Sequence, residues 1–224
     1  MVRIGFSDKN DVIKSAAEEL KKNTKHSAII YISLLEALDA LKNKKIDCLV
    51  GGHDISTGDF LKEIFKIIRP KGRVYSYSVL TKNNKSYYFA DTAVNIAPTQ
   101  DQLCELEEVL MRELKPYTDY FELARISYKT DNTTMQIDAA LDPIIATKKG
   151  IVDSKERNVF IFPDINSANI SYKLMQKLGD HSHIGPILLN VGYPISDLSR
   201  SADSKEIYNT AKYLADLTAK RLEK

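Results

Sequence analysis

The 224-residue sequence predicts an α/β fold: a parallel-rich sheet, flanking helices and a hairpin insertion. Three observations carry that expectation. Short apolar runs alternate with helical patterns from the N-terminus to residue 68. Two period-two runs then interrupt the alternation. Strand–helix alternation resumes towards the C-terminus. Repeated βα alternation implies parallel strands with helices packed on the sheet faces.

Residues 2–6 read as a strand, and 10–22 as a helix with Val12, Ile13, Ala16, Ala17 and Leu20 on one face. A second strand at 28–32 precedes a helix over 33–43. The third strand, 47–50, runs into Gly51-Gly52. The next helix, Thr57–Ile68, is closed by Pro70 and Gly72. Residues 74–80 and 86–90 alternate in period two around the polar run 81–85. That is a hairpin signal, and Asn83-Asn84 tolerate the positive φ of a tight turn. Thr99 is placed as N-cap of a helix over 99–115. Strands at 121–126 and 159–162, a helix over 166–178 and a strand at 187–191 follow. In the last helix, Ser204–Leu222, Ile207, Ala211, Leu214, Thr218 and Leu222 form one stripe expected to be buried. The polar segment 150–157 reads as a connector between lobes.

Composition removes several function classes. Lys and Arg number 32 against 30 Asp and Glu, a net charge of +2 with no basic stripe, so nucleic acid is not an expected partner. The longest apolar stretch, 27–35, is far short of the ~20 residues of a membrane helix. The opening MVRIGFSDKN lacks the apolar core of a secretory signal. Two cysteines cannot build a disulfide framework, and a reduced cytoplasmic setting is expected.

In a parallel sheet the working loops leave the carboxyl ends of the strands. Four such loops are rich in hydroxyl and amide side chains: 51–58 (GGHDISTG), 127–131 (SYKTD), 163–169 (PDINSAN) and 196–201 (SDLSRS). Helix N-termini with Ser, Thr and Asn suit a phosphate-bearing ligand, although the same residues serve as ordinary N-caps. Neither GxGxxG nor GxxxxGK[ST] occurs, so dinucleotide and Walker-type sites are unsupported. His181 and His183 in a polar run read as solvent-exposed rather than metal-binding, Cys48 as a core thiol, and Cys104 as a helix residue without a base.

The segments VFIFPDINSANISYKLMQKLGD and IGPILLNVGYPISDLSRSAD resemble the C-terminal part of the phosphate acetyl/butyryl transferase family. YYFADTAVNIAPTQDQLCELE and STGDFLKEIFKII are similar to its middle, and RIGFSDKNDVIKSAAEEL to its first strand and helix. The resemblance implies a single acyltransferase unit over 1–224. It also implies the isocitrate/isopropylmalate-dehydrogenase-like architecture of two α/β lobes with the cleft between them. The implied activity exchanges an acetyl or short-chain acyl group between coenzyme A and inorganic phosphate. Coenzyme A is then a substrate, no permanent cofactor is needed, and a short acyl phosphate and a second copy of the chain are the other partners. The amphipathic last helix permits such a homodimer.

By the same resemblance Ser199, Arg200 and Glu206 form the reaction centre. Ser56, Thr57, Lys62, Ser127, Thr130, Asp164, Asn166 and Ser167 are the substrate-contacting candidates. The chemistry is coherent: Arg200 can grip phosphate with two charge-assisted bonds, and Ser199 can donate to a tetrahedral oxyanion. A carboxylate can take the proton of a thiol with pKa near ~8.5. Five departures from the family stand out. Its catalytic Asp is replaced by Glu206, one of its Arg residues by Lys62, and the segment between Ser127 and Gln136 is shortened by a helix; the part before Gly51 is trimmed as well, and a further family Arg from it has no counterpart. Glu206 therefore has two readings, base or the third residue of a capping box opened by Asp203, and Lys62 is an anion contact or a solvated helix face. A catalytically weak binder of coenzyme A or acyl phosphate, or a structural partner protein of the same family, is the alternative.

Overall fold

The computed structural model describes residues 1–223. In chain order the first elements are β1 (Arg3–Phe6), α1 (Asp11–Asn23), β2 (Ser27–Ile30), α2 (Leu34–Lys42), β3 (Cys48–Gly51), α3 (Thr57–Ile68), β4 (Tyr75–Lys82) and β5 (Lys85–Ala90). They are followed by α4 (Gln100–Glu113), β6 (Leu123–Arg125), α5 (Ile137–Leu141), α6 (Pro143–Lys148) and β7 (Val159–Ile161). The chain ends with α7 (Ile165–Leu178), β8 (Ser182–Leu189), β9 (Ile195–Asp197) and α8 (Ser204–Leu222). Two compact units result, one of residues 1–74 with 183–224 and one of 75–182.

In the first unit the strand order is β2-β1-β3-β9-β8. β1 runs parallel to β2 and β3, and β3 runs parallel to β9 through Leu49↔Ile195 and Gly51↔Asp197. β8 is antiparallel to β9. α1 forms because Asn10 caps it, its side chain accepting from Ile13 N at 2.9 Å, and because Ile13, Ala16, Ala17 and Leu20 share one buried face. That face packs on α8. Full burial of Ile13 and Leu20 is worth ~1.5–3 kcal/mol each. The stripe on α8 is buried from Ile207 to Thr218, but Leu222 is 69% exposed. The stripe is thus consumed within the unit, against α1, β1, β3 and β9.

In the second unit the order is β4-β5-β7-β6. β4 and β5 form the antiparallel hairpin, turning at Asn83 (φ 51°) and Asn84 (φ 61°). β7 is parallel to both β5 and β6. Thr99 caps α4 in a full capping box with Gln102. Leu80, Phe89, Ala124, Phe160, Phe162 and Tyr172 build a core on one face of these strands. The segment 150–157 lies inside this unit and is no connector between units. It is fixed by Arg157, buried and paired with Glu122 at 3.0 Å and Asp153 at 2.9 Å. β8 starts five residues before its expected position, so His183 is a strand residue. β9, α5 and α6 lie where no element is expected.

Among the described residues no helix is long and apolar enough to cross a membrane, and no group of three or more His, Cys, Asp or Glu is placed to hold a metal ion. Cys48 is buried, which pushes its thiol pKa far up, and Cys104 is exposed.

Candidate functional site

In the first unit the loops after β3 and β9 leave the carboxyl ends of adjacent parallel strands. Leu198 N donates to Gly51 O at 2.6 Å and joins the two loops at their roots. Gly52 turns at φ 91°, and a Cβ there would come within 2.2 Å of Asp197 Oδ1, so only glycine fits. Asp197 is 1% exposed, and its Oδ1 has no hydrogen-bond partner among the described residues. Burial pushes its pKa up to about 7; a bond from the Thr57 side chain pulls it down, and the charge of Asp8 pushes it up. Asp8 is held by Ser7 Oγ at 3.1 Å and Asp54 N at 3.2 Å.

This carboxyl makes stability depend on pH. Between about pH 4 and 7 an unfolded chain ionises Asp197 while the folded one keeps it protonated, so the folded state binds more protons and stability falls as pH rises. The loss is complete above pH 7 and amounts to about 4 kcal/mol. Asp197→Asn cannot ionise. Its stability relative to wild type should therefore improve steadily from pH 4 to 7 in urea unfolding. Parallel curves for the two proteins would rule out the buried, protonated carboxyl.

Ser56 is the N-cap of α3, accepting from Asp59 N at 3.1 Å, and Thr57 is its first helical residue. Lys62 projects from the same helix and is exposed. Beyond β9, Ser199 Oγ and Ser201 Oγ share a hydrogen bond at 3.0 Å, and Ala202 N donates to Ser199 O at 3.0 Å. Arg200, at the crest of this turn, is exposed and carries no ion pair among the described residues. His53 Nε2 donates to Ala202 O at 3.1 Å, which ties the loop after β3 to the one bearing Ser199 and Arg200. Asp203 caps α8, accepting from Glu206 N at 2.8 Å. The Glu206 carboxylate is turned to the buried His183, whose Nδ1 donates to Oε1 at 2.6 Å. His183 is 2% exposed, not the solvent-facing residue its polar neighbours suggest.

In the second unit the equivalent loops follow β6 and β7. Ser127 Oγ donates to Lys129 O at 2.6 Å, and Thr130 is exposed further along that loop. Asp164 caps α7, accepting from Ser167 N at 2.8 Å, while Ser167 Oγ donates to Asp164 O at 2.9 Å. Asn166 is exposed on the first turn. Ser127 and Ser167 line one cavity of about 390 Å³, which Thr130, Asp164 and Asn166 do not.

The structure thus groups Ser56, Thr57, Ser199 and Arg200 on the loops and helix start of the β3–β9 edge, with Glu206 one helical turn along α8. Sequence reasoning missed Asp197, His53 and His183. Asp197 stands inside the quoted DLSR segment, and its contact with Gly52 gives it weight. His53 lies in the GGHDISTG loop, but its bond to Ala202 spans 149 residues.

The chain matches the family model described as Phosphate acetyl/butaryl transferase over residues 6–134 and 132–215. It is 31% identical to a phosphate acetyltransferase of Mycoplasma capricolum, over 76% of this chain and 64% of that protein. It is 32% identical to one of Bacillus subtilis, over 74% of this chain and 61% of that protein. The chain therefore spans about three fifths of the length of these curated relatives. A phosphotransacetylase structure from Streptococcus pyogenes superposes with a TM-score of 0.83 at 22% identity, covering 100% of this chain and 94% of the other, which shows a shared fold. With a family model matched along nearly its whole length, the chain belongs to the phosphate acetyl/butyryl transferase family.

Proposed function

We propose that the protein exchanges an acyl group between coenzyme A and inorganic phosphate, acyl-CoA + phosphate ⇌ acyl phosphate + CoA. The observation that carries this reading is Arg200: an exposed guanidinium without an ion pair, between two serine hydroxyls, on a turn beyond a parallel strand. An unpaired fork of donors in such a turn suits a dianionic phosphate.

In the forward direction a phosphate oxygen attacks the thioester carbon and the carbonyl electrons move to oxygen. Ser199 donates to that oxyanion while Arg200 holds the phosphate. Glu206 takes the proton that the attacking phosphate gives up; collapse of the adduct then breaks the C–S bond, and the departing thiolate receives that proton from Glu206. In reverse, Glu206 removes the thiol proton as sulfur attacks the acyl phosphate. Holding both substrates in line supplies much of the remaining acceleration. His183 keeps the Glu206 carboxylate in one orientation. The protein acts in the cytoplasm, where both thiols stay reduced. The proposed homodimer uses the exposed stripe Ile170, Leu174 and Leu178 on α7.

The test is turnover: purified protein with acetyl phosphate and coenzyme A should accumulate thioester. Binding of coenzyme A without turnover would favour the second reading, a catalytically weak binding protein. That reading draws on the engagement of Glu206 with His183 and on Lys62 in place of an arginine.

Lys62 offers a milder check. As an exposed point charge contacting phosphate it is worth up to ~1 kcal/mol, so Lys62→Ala should raise KM for phosphate up to about fivefold and leave kcat nearly unchanged. The difference should vanish at high salt. A KM equal in both proteins at low ionic strength would return Lys62 to a solvated helix face.

A further inference from the structure

Both feet of the segment that carries Ser199 and Arg200 are held by one short run of the loop after β3. At the first foot Leu198 N donates to Gly51 O at 2.6 Å. At the second, His53 Nε2 donates to Ala202 O at 3.1 Å. Gly52 turns the chain between these two holding residues, at a φ of 91°. Ala202 is 5% exposed, and its N–H closes the turn on Ser199 O at 3.0 Å. The crest, Ser199 to Ser201, is therefore fixed at its ends and open in its middle, where Arg200 is exposed. All of these contacts lie within the first unit.

The bond to Ala202 requires a proton on Nε2, because a carbonyl oxygen only accepts. The surroundings of the other ring nitrogen decide whether the proton stays there. Nδ1 lies 3.0 Å from Asn10 Nδ2 and 3.0 Å from Asp54 Oδ1. The carboxylate alone would draw the proton of a neutral ring onto Nδ1 and leave Nε2 bare. Asn10 opposes that. Its Oδ1 accepts from Ile13 N at 2.9 Å as the cap of α1, so its amide is held one way round. Its two amide hydrogens then face Asp54 Oδ1, at 2.8 Å, and His53 Nδ1. A neutral ring meets all these contacts only with Nδ1 bare and the proton on Nε2. Asp54 is fixed in turn, its N–H donating to Asp8 Oδ1 at 3.2 Å. The His53 side chain is 13% exposed, so water offers Nε2 little alternative to Ala202.

We propose that His53 is a positioning residue for acyl transfer: its Nε2–H holds the Ser199–Arg200 turn, and Asn10 sets the tautomer that carries this proton. The inference rests on the acyl-transfer reading, in which Arg200 grips phosphate. An arginine on an open crest has many rotamers, and a free foot would add backbone freedom to them. Misplacement of a reacting group by ~1 Å can cost ~10²-fold in rate. A clamp at both feet confines the guanidinium and the Ser199 hydroxyl before substrate arrives.

Two variants at one position separate the donor from the bulk of the ring. His53→Leu removes the donor and should lower kcat about tenfold and raise KM for phosphate about threefold. His53→Gln places an amide N–H near the position of Nε2 and should stay within about threefold of wild type. Circular dichroism and urea midpoints should be alike in the two variants. Nitrogen NMR at about pH 8, where an ordinary imidazole is neutral, should show His53 protonated on Nε2 and bare on Nδ1. Asn10→Ser tests the lock without touching the ring. It keeps the cap but loses the amide donor, so the proton should move to Nδ1 and kcat should fall towards that of His53→Leu.

Wild-type kcat and KM in His53→Leu would overturn the proposal and leave acyl transfer standing. So would equal losses in His53→Leu and His53→Gln, which would reduce His53 to packing, and so would a wild-type ring protonated on Nδ1 alone. If no acyl-CoA turns over, the transferase reading fails and inorganic phosphate becomes the probe. Phosphate affinity that falls in Arg200→Ala and His53→Leu and returns in His53→Gln would still support the clamp. Equal phosphate affinity in all of them would overturn it as well.

Discussion

Replacing Arg200 with alanine should lower kcat/KM for acyl transfer by about 10²–10³, the loss of roughly 3–4 kcal/mol of transition-state stabilisation. The side chain is exposed and makes no ion pair among the described residues, so its removal should leave unfolding free energy within about 0.5 kcal/mol of wild type. Separating the two effects is the strength of the test: activity falls and the urea midpoint does not. Arg200→Lys keeps the charge but loses the planar pair of donors, and should recover only part of the rate. Wild-type kcat/KM for every acyl phosphate tried would remove Arg200 from the reaction.

Elements set by local chemistry were legible in the sequence. α3 begins where Ser56 can cap it and ends before Pro70, so both bounds coincide with expectation. The β4–β5 hairpin follows from period-two alternation and two asparagines that accept positive φ. Elements set by distant partners were not legible. β9 is three residues long, and it is a strand because β3 and β8 flank it; nothing within Ile195–Asp197 says so. The first unit closes only when residues 183–224 return to residues 1–74, a pairing that no local pattern encodes.

The site divides in the same way. Ser199 and Arg200 were legible because a contiguous motif carries them, and Ser56 because capping is local. His183 was not. His-Ser-His beside Asp180 reads as a surface run, and its burial depends on Glu206, 23 residues on. Asp197 was in view as a residue, but its state was not. The raised pKa comes from burial against the loop of Gly52 and from the nearby charge of Asp8, and the bond from Thr57 opposes it; none of these partners is local in sequence.

Glu206 carries the other large expected effect, and the structure sharpens how to measure it. The capping function at the start of α8 depends on the side chain of Asp203 and the backbone N–H of residue 206, which any substitution at 206 except proline retains. The carboxylate faces His183. Glu206→Gln keeps a carbonyl oxygen to accept from His183 Nδ1, so stability should fall by only about 1 kcal/mol. A neutral amide cannot take a thiol proton, and the rate with acyl phosphate and coenzyme A should fall by roughly 10²–10⁴. Raising the pH should recover part of that loss, because a thiol with pKa near ~8.5 then ionises without help. Glu206→Ala removes the acceptor as well and leaves a buried imidazole N–H without its partner, so it should cost about 1–3 kcal/mol more in stability and show the same alkaline recovery. His183→Gln separates positioning from proton transfer: the carboxylate remains but is less firmly oriented, so kcat should drop by less than in Glu206→Gln, with no alkaline rescue beyond wild type. If Glu206→Gln turned over at the wild-type rate near neutral pH, the proton would have to go elsewhere. Asp203 would then be the next carboxylate to replace, because it is exposed on the same turn as Ser199 and Arg200, whereas the buried Asp197 is pressed against Gly52.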